Sequence, residues 1–468
     1  MTIDILTNDA LLEIFDRFLD QARERNKVNL EAWHTLVHVC RKWRIIVFES
    51  PHHLNLQLLC TTRTRVREML GVWPAFPIVI RDCLHYFRNS DTDNLIAALG
   101  HRDRVCEISL EEIFHSALEE LMPVMQEPFP ALTRLALGTN GLASAIPDSF
   151  LGGTGSHLRY LRLDGILFPE LPKFLSSATG LVHLSLSGIP FPGHISAEVM
   201  VTSLSSMSKL ESLCIMLPSS LVPLNNVDQP PPPTTCSLLP ALSRLQFKGA
   251  VKYLEDLISW IEAPLIQTLD IAFIYEPALD TTNLRRLIGC AEQLTVLNRA
   301  KIEFRYDMVI ALSQKTYKHD SSMLSLTVLH SEPDREIQSL VEACGSSLLP
   351  LSNVESLEIT NDRQGWRSHL DNNTGNSQWL EVLRRFPDVK HLFLSNDIVS
   401  SIARTLINGN GEKETEVLPA IQKLSIGGSL PSGPVQEAIE QFAARRQLSA
   451  DPEVPRCWVG MSAQDADD

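Results

Sequence analysis

The chain has 468 residues, with 41 Lys plus Arg against 56 Asp plus Glu, which gives a net charge of −15. This acidic balance disfavours a nucleic-acid-binding protein, because phosphate contacts need a basic surface. Hydrophobic residues make up 44%, enough for a large core, and the nine cysteines include no CxxC pair. A zinc ribbon or a redox pair is therefore unsupported, and the composition indicates a reducing compartment.

The first residues do not have the pattern of a signal peptide, because acidic side chains occur from Asp4 onward. The longest notable uncharged stretch, between Lys173 and Glu198, contains prolines, glycines and histidines that make a poor membrane helix. We therefore predict an intracellular protein without a membrane span, located in the cytoplasm, the nucleus or both.

Residues 7 to 22 predict an amphipathic helix, with Thr7 or Asn8 available to cap it. The apolar residues recur at helical spacing: Leu11, Ile14, Phe15, Phe18 and Ala22. A second helix is predicted after Asn29 and before Pro51. Its stripe consists of Trp33, Leu36, Val37, Cys40, Trp43 and Val47.

Further apolar residues lie off both stripes, namely Leu6, Leu12, Val39 and Ile46. The two helices therefore carry more apolar surface than a helical hairpin can bury by itself. Either the rest of the chain covers this surface, or it docks another protein.

The two segments, LTNDALLEIFDRFL and TLVHVCRKWRIIVF, resemble an F-box. The family pattern is Leu-Pro-x-Asp/Glu-x-Leu-Leu-x-Ile-Phe followed by a Leu-x-x-Val-Cys-x-x-Trp helix, and Thr7 stands where the family usually has Pro. The matching residues, which the resemblance implies as the interface for a Skp-family adaptor, are Leu6, Asp9, Leu11, Leu12, Ile14, Phe15, Leu36, Val39, Cys40, Trp43 and Val47. Most of the chain is similar to the large group of mushroom-type (basidiomycete) fungal F-box domain-containing proteins.

A triplet of apolar residues, spaced Φ-x-x-Φ-x-Φ, recurs at intervals of 23 to 35 residues over the rest of the chain. The copies begin at Val105, Leu132, Leu158, Leu181, Leu210, Leu242, Ile266, Leu294, Met323, Val354, Val389 and Ile421. Five copies have Pro two places before the first apolar residue, which stops a preceding helix and favours an extended segment. Amphipathic segments with capping residues, such as those after Ser196 and Thr281, separate the triplets.

This alternation is typical of an irregular leucine-rich repeat, in which each coil contributes one short strand to a parallel sheet. We therefore predict an α/β fold: a helical F-box-like module at 1–50, a connecting region with degenerate repeats at 51–104, a horseshoe-shaped leucine-rich-repeat solenoid at 105–447, and a tail at 448–468 that is disordered at its end.

In each repeat the third, fifth and seventh places are expected to face the concave side of the solenoid, where a protein substrate binds. The candidate substrate-binding residues are Tyr160, Arg162, Asp164, His183, Arg244, Lys248, Asp270, His391 and Phe393.

Motifs for catalysis or metal binding are missing from the sequence. His34 and His38 have a spacing that can bind a metal ion, but they lack a third ligand and are expected on a solvated helix face. The glycine-rich run at 152–156 lacks the Lys-Ser/Thr of a P-loop and predicts a turn. We expect no metal, no cofactor and no catalytic site, and hence no enzyme.

The F-box resemblance implies that the N-terminal helices dock a Skp-family adaptor, which joins a cullin scaffold in a ubiquitin ligase. The solenoid would then hold an unknown protein substrate near the ubiquitin-conjugating enzyme, which makes aminolysis effectively intramolecular. The alternative is a leucine-rich-repeat scaffold whose first helices only cap the solenoid. A hydrolase with a dispersed site is a third possibility, which would need clustered, perturbed titratable groups.

Overall fold

We analysed a computed structural model of the full chain. It describes residues 6–25, 31–83, 92–139, 144–190, 195–218, 236–274, 281–305, 307–314, 323–329, 336–345, 348–361, 373–408, 417–428, 433–451 and 457–460. The end of the predicted disordered tail, from residue 461, lies outside these ranges.

The described helices are short and are spread over the whole chain. In chain order they are α1 Asn8–Arg25, α2 Trp33–Val37, α3 Arg41–Glu49, α4 Val66–Val72, α5 Asp93–Leu99, α6 His115–Leu121, α7 Leu171–Ser177, α8 Ala197–Leu204, α9 Val251–Ser259, α10 Thr282–Cys290, α11 Glu292–Thr295, α12 Glu336–Gly345, α13 Asn373–Leu383, α14 Asn396–Asn408 and α15 Pro434–Arg445.

Strands alternate with these helices from residue 58 onward. They are β1 Leu58–Cys60, β2 Ile78–Cys83, β3 Val105–Ile113, β4 Arg134–Thr139, β5 Ser144–Ala145, β6 Tyr160–Asp164, β7 Ile166–Leu167, β8 His183–Ser187, β9 Ser212–Met216, β10 Ser237–Leu238, β11 Arg244–Gly249, β12 Ile261–Glu262, β13 Thr268–Ile274, β14 Arg299–Phe304, β15 Met308–Ser313, β16 Leu324–Leu329, β17 Ser356–Asn361, β18 His391–Ser395, β19 Lys423–Gly427, β20 Leu448–Ala450 and β21 Cys457–Gly460.

The chain forms two compact units, the first comprising residues 1–195 with 206–210 and the second 196–205 with 211–468. In the first unit, β1, β2, β3, β4, β6 and β8 pair in this order, and every pair is parallel. The connecting region at 51–104, for which degenerate repeats are predicted, contributes β1 and β2. These observations confirm a mixed α/β fold with a large parallel sheet.

The second unit has the strand order β9, β11, β13, β16, β15, β14, β17, β18, β19, β21, β20. Six of these ten pairs are parallel, whereas β15 is antiparallel to both β14 and β16, and β21 is antiparallel to both β19 and β20. Three strands thus form a meander inserted in reverse order between β13 and β17. At the end of the chain, β20 and β21 continue the sheet within the segment that was predicted as a tail.

The meander corrects one of the predicted triplets. Around Leu294 the buried triplet begins instead at Leu297, because Leu297, Ala300 and Ile302 are buried while Arg299, the sixth residue counted from Leu294, is exposed. The triplet that begins at Met323 is buried, and β16 pairs Leu324 with Leu269 of β13. The repeat fails at Leu294 because an antiparallel strand needs only a short turn and follows a two-residue period.

The N-terminal helices share one core with the residues that follow them. Leu11, Phe15 and Trp33 pack in the same buried cluster as Leu54 and Phe76. The predicted second helix is in fact two helices, α2 and α3, because the backbone becomes extended at Cys40. The interruption lets side chains of both helices enter the shared core, while residues at the break are exposed.

Glu255 of α9 caps the next helix, α10. Its two carboxylate oxygens accept hydrogen bonds from the backbone N–H groups of Asn283 (2.7 Å) and Leu284 (2.9 Å), while the preceding Thr281 makes no side-chain cap bond. We expect Glu255→Ala to lower the free energy of unfolding by about 1–2 kcal/mol, because two helix-terminal donors lose a charged acceptor.

Chemical denaturation of this variant, with Glu440→Ala as a control, checks the prediction. The Glu440 carboxylate is exposed on α15 and accepts a bond from Gln436 one turn away, so its loss should cost less than about 0.5 kcal/mol. Equal losses for the two variants would contradict the capping role of Glu255.

Candidate functional site

Exposed apolar side chains are concentrated on the N-terminal helices. Of the ten large apolar side chains that are exposed in the described residues, five lie between residues 6 and 45. We call these five the N-terminal apolar surface: Leu6, Ile14, Phe18, Val39 and Ile45. Such a concentration is typical of a surface that another protein covers.

The shared core fixes the helices that carry this surface. On α1, Phe15 points into the core and its ring lies 4.7 Å from that of Trp43 on α3. The Nζ of Lys42 donates to the backbone oxygen of Leu6 at 3.1 Å, which brings the start of α1 to α3. Ile14 and Phe18 are one turn apart on α1, so they share one flank of that helix.

The eleven residues predicted as the adaptor interface separate into three groups. Leu11, Phe15, Leu36 and Val47 lie in the core, so in this structure they support the helices and are not available to a partner. Leu12 and Trp43 are half-buried. The exposed members are Leu6, Asp9, Ile14, Val39 and Cys40. In this structure, only the exposed members of the predicted interface are fully accessible to a partner.

Two exposed apolar residues, Phe18 and Ile45, are missing from the predicted interface. Phe18 occurs in the predicted stripe but lies at its edge, where it remains 41% exposed. Ile45 belongs to the apolar run that includes Ile46 and Val47, which are both buried. The composition of this apolar run does not show which of its residues is exposed. The helical period, however, places Ile45 opposite the side chains that enter the core.

His34 does not lie on a solvated helix face as predicted. Its ring is half-buried, stacks on Trp73 at a centroid distance of 5.0 Å and contacts the edge of Trp33. Burial lowers the pKa of His34 below its ordinary value, so the neutral ring is favoured. The residue is therefore part of the aromatic packing behind α2.

In the first unit, the predicted substrate-binding residues lie on the sheet face opposite its buried side chains. Tyr160 pairs in register with His183, and the guanidinium of Arg134 lies 3.6 Å from the centre of the Tyr160 ring. Arg162 forms an ion pair with Glu111 at 3.7 Å. Asp164, in register with Ser187, is half-buried on the same face. The charged groups here mainly interact with one another.

In the second unit, the other predicted residues also lie on the open face of the sheet, which is the face opposite its buried side chains. Arg244 and Lys248 lie four residues apart on β11, and Asp270 on β13 accepts a hydrogen bond from Gln246 at 3.1 Å. Burial raises the pKa of the Asp270 carboxyl above its ordinary value. His391 and Phe393 are exposed on β18, several strands away.

No group of side chains in the described residues is arranged for metal binding. A cavity of about 100 Å³ between Phe129, Leu151 and Leu158 is lined mainly by apolar side chains, with His157 as its titratable group. It does not bring together an acid, a base and a nucleophile. Burial raises the pKa of Cys60 and Cys344 to about 12, which suppresses their thiolates.

None of the described helices combines the length and the hydropathy needed to cross a bilayer.

No family model and no curated protein matches this sequence. Among solved structures, the crystal structure of a TLR13–ssRNA13 complex matches with 12% identity and a TM-score of 0.28. The match covers 79% of this chain and 45% of that chain, so this protein spans less than half of its length. At this TM-score the likeness carries no argument about fold or partners.

Proposed function

We propose that this protein is a substrate adaptor of a Skp–cullin–F-box ubiquitin ligase. The observation that carries the proposal is the N-terminal apolar surface, which lies on the segments that resemble an F-box. A Skp-family adaptor would cover these exposed side chains and link the chain to a cullin scaffold. The sheet would hold a protein substrate, and the protein would act by proximity in the cytoplasm, the nucleus or both.

Hydrophobic burial would supply the docking energy. Complete burial of an Ile or Phe side chain contributes about 1.5–3 kcal/mol relative to exposure. Ile14 and Phe18 are 48% and 41% exposed, so each retains about half of that gain for a partner. Several such residues covered by one partner would add their contributions, with Asp9 and Cys40 as further exposed members of the motif.

A repeat scaffold capped by its first helices is the second candidate. It is favoured by the shared core, in which α1–α3 cover Leu54, Leu56, Leu58 and Phe76. The two roles are compatible, because one side of the helices covers the sheet end while other side chains remain exposed. Loss of adaptor binding on deletion of residues 1–50 does not by itself establish docking, whereas the solubility of the truncated chain tests the capping role.

Protection of Cys40 tests the docking proposal directly. Cys40 is exposed within the F-box-like motif, and Cys290 is exposed on α10 in the second unit. We expect a saturating Skp-family adaptor to lower N-ethylmaleimide labelling of Cys40 at least about fivefold, because covered thiols are inaccessible. Labelling of Cys290 should not change.

Peptide mapping by mass spectrometry measures both sites in one sample. The buried thiols of Cys60 and Cys344 should stay unlabelled with or without the adaptor. Unchanged labelling of Cys40 in a sample where the adaptor is shown to be bound would place the interface elsewhere. Absence of any binding would leave the capped scaffold as the working proposal.

A further inference from the structure

The open face of the second unit carries cations that form no pair with any residue that the structure describes. Arg244, Lys248, Arg299 and Lys423 make no side-chain hydrogen bond or ion pair within the part of the chain that the structure describes. In a protein with a net charge of −15, unneutralised cations on one sheet face are unexpected from composition alone.

Three of these cations follow one line across the sheet. Arg244 is in register with Thr268, and Arg299 is in register with Ser313 and Ser356. Ser356 is in register with His391, which is in register with Lys423. The line thus crosses from β11 through the meander to β19, and the residues in register along it include no Asp or Glu.

The dimensions of this line suit an extended peptide. From β11 to β19 there are seven steps between neighbouring strands, which at about 4.8 Å each span roughly 34 Å. At about 3.3 Å per residue, some ten residues of extended chain cover this distance. Beside the line, small half-buried side chains on β13, β15 and β16 allow a backbone to approach: Ala272, Ala311, Ser325 and Thr327.

The acidic groups on the same face are already engaged. Glu303 lies 2.8 Å from the guanidinium of Arg305, and Glu358 lies 3.5 Å from the Nζ of Lys301. Asp270 is half-buried and accepts a hydrogen bond from Gln246. These acids therefore do not neutralise the unpaired cations.

The first unit provides an internal contrast. Arg134 lies 3.5 Å from Glu107 and stacks on Tyr160, and Arg81 binds the same carboxylate at 2.8 Å. These two arginines of the first unit are thus paired with a carboxylate of the same sheet face. The unpaired cations described above belong to the second unit.

We infer that the open face of the second unit binds an extended, acidic peptide segment of a partner protein, with its carboxylates on Arg244, Arg299 and Lys423. The inference rests on the proposed function and deepens it, because it names the chemical class of the substrate. Electrostatic complementarity supplies orientation and a fast, salt-dependent association. A plain Glu-rich segment satisfies the geometry.

Fluorescence anisotropy with the full chain tests the inference. The probe is a fluorescein-labelled twelve-residue peptide with Glu at alternate positions, compared with its Gln counterpart and with a labelled oligothymidylate. We expect the Glu peptide to bind, the Gln peptide to bind at least about tenfold more weakly, and added salt to weaken the binding. The double variant Arg244→Gln/Arg299→Gln should lose at least about tenfold in affinity, whereas Arg134→Gln should change it less than about twofold.

Each outcome has a defined meaning. No binding of the Glu peptide by the intact chain, or equal affinity in the double variant, would overturn the inference. Tighter binding of the oligothymidylate than of the peptide would also overturn it and indicate a nucleic-acid surface. Binding of the Skp-family adaptor by the double variant is measured in parallel, so that failure of the peptide and failure of the ligase proposal are distinguished.

Discussion

Ile14→Asp and Phe18→Asp should each lower the affinity for a Skp-family adaptor at least about tenfold, and together they should abolish detectable binding. Each substitution removes apolar area that the partner would bury, and it also places a carboxylate where the partner excludes water. Both residues are only partly exposed in the free chain, so each substitution also removes apolar burial from the fold. We expect the free energy of unfolding to fall by about 1–2 kcal/mol for each substitution, through this lost burial and the lower helix propensity of Asp.

Surface plasmon resonance, with purified adaptor titrated over each immobilised variant, measures this loss of affinity. The matched controls are Leu265→Asp and Val296→Asp, which alter apolar residues that are 57% and 56% exposed in the second unit. The controls should bind as the unaltered chain does. Retained binding in the Ile14→Asp/Phe18→Asp double variant would remove the N-terminal apolar surface as the docking site, and lost binding in the controls would indicate a non-specific effect of charge.

The repeat could be predicted because its signal is local. Each regular coil buries the three apolar residues of its own triplet, for example Leu158, Leu161 and Leu163. The positions of the strands, and of the residues on their exposed face, therefore follow from the spacing of the triplets. The meander could not be predicted in the same way, because it replaces a crossover with a hairpin. The sequence of β15, MVIALS, is apolar at Val309 and Ala311 as well, so the alternating burial of Met308, Ile310 and Leu312 is not visible in it.

The candidate site was less predictable than the strands. A helical stripe indicates which direction faces the core, but the burial of residues at its edge depends on what packs beside the helix. Leu11 and Ile14 belong to one predicted stripe, yet Leu11 is buried and Ile14 is 48% exposed. Ion pairing on the sheet also depends on neighbours from distant repeats, so the unpaired Arg299 was not recognisable from its own strand.

Trp33→Ala should destabilise the first unit by about 3–5 kcal/mol, a large part of the stability of an ordinary domain. Trp33 is 1% exposed, and its ring lies 5.1 Å from Trp73 and 5.5 Å from Phe76. Its Nε1 donates to the backbone oxygen of Gln57 at 3.0 Å. The variant therefore leaves a cavity and a lost hydrogen bond between the N-terminal helices and the segment that leads into the sheet.

Thermal unfolding and limited proteolysis of the full chain measure this effect, with Trp260→Ala as the matched control. Trp260 is half-buried at the end of α9 in the second unit, so its truncation should cost clearly less. A chain lacking residues 1–50 should aggregate, because it exposes Leu54, Leu56 and Phe76, which are at most 4% exposed in the intact protein. A soluble truncation with an unchanged melting curve, together with a Trp33→Ala variant as stable as the control, would contradict the capping role of the helices.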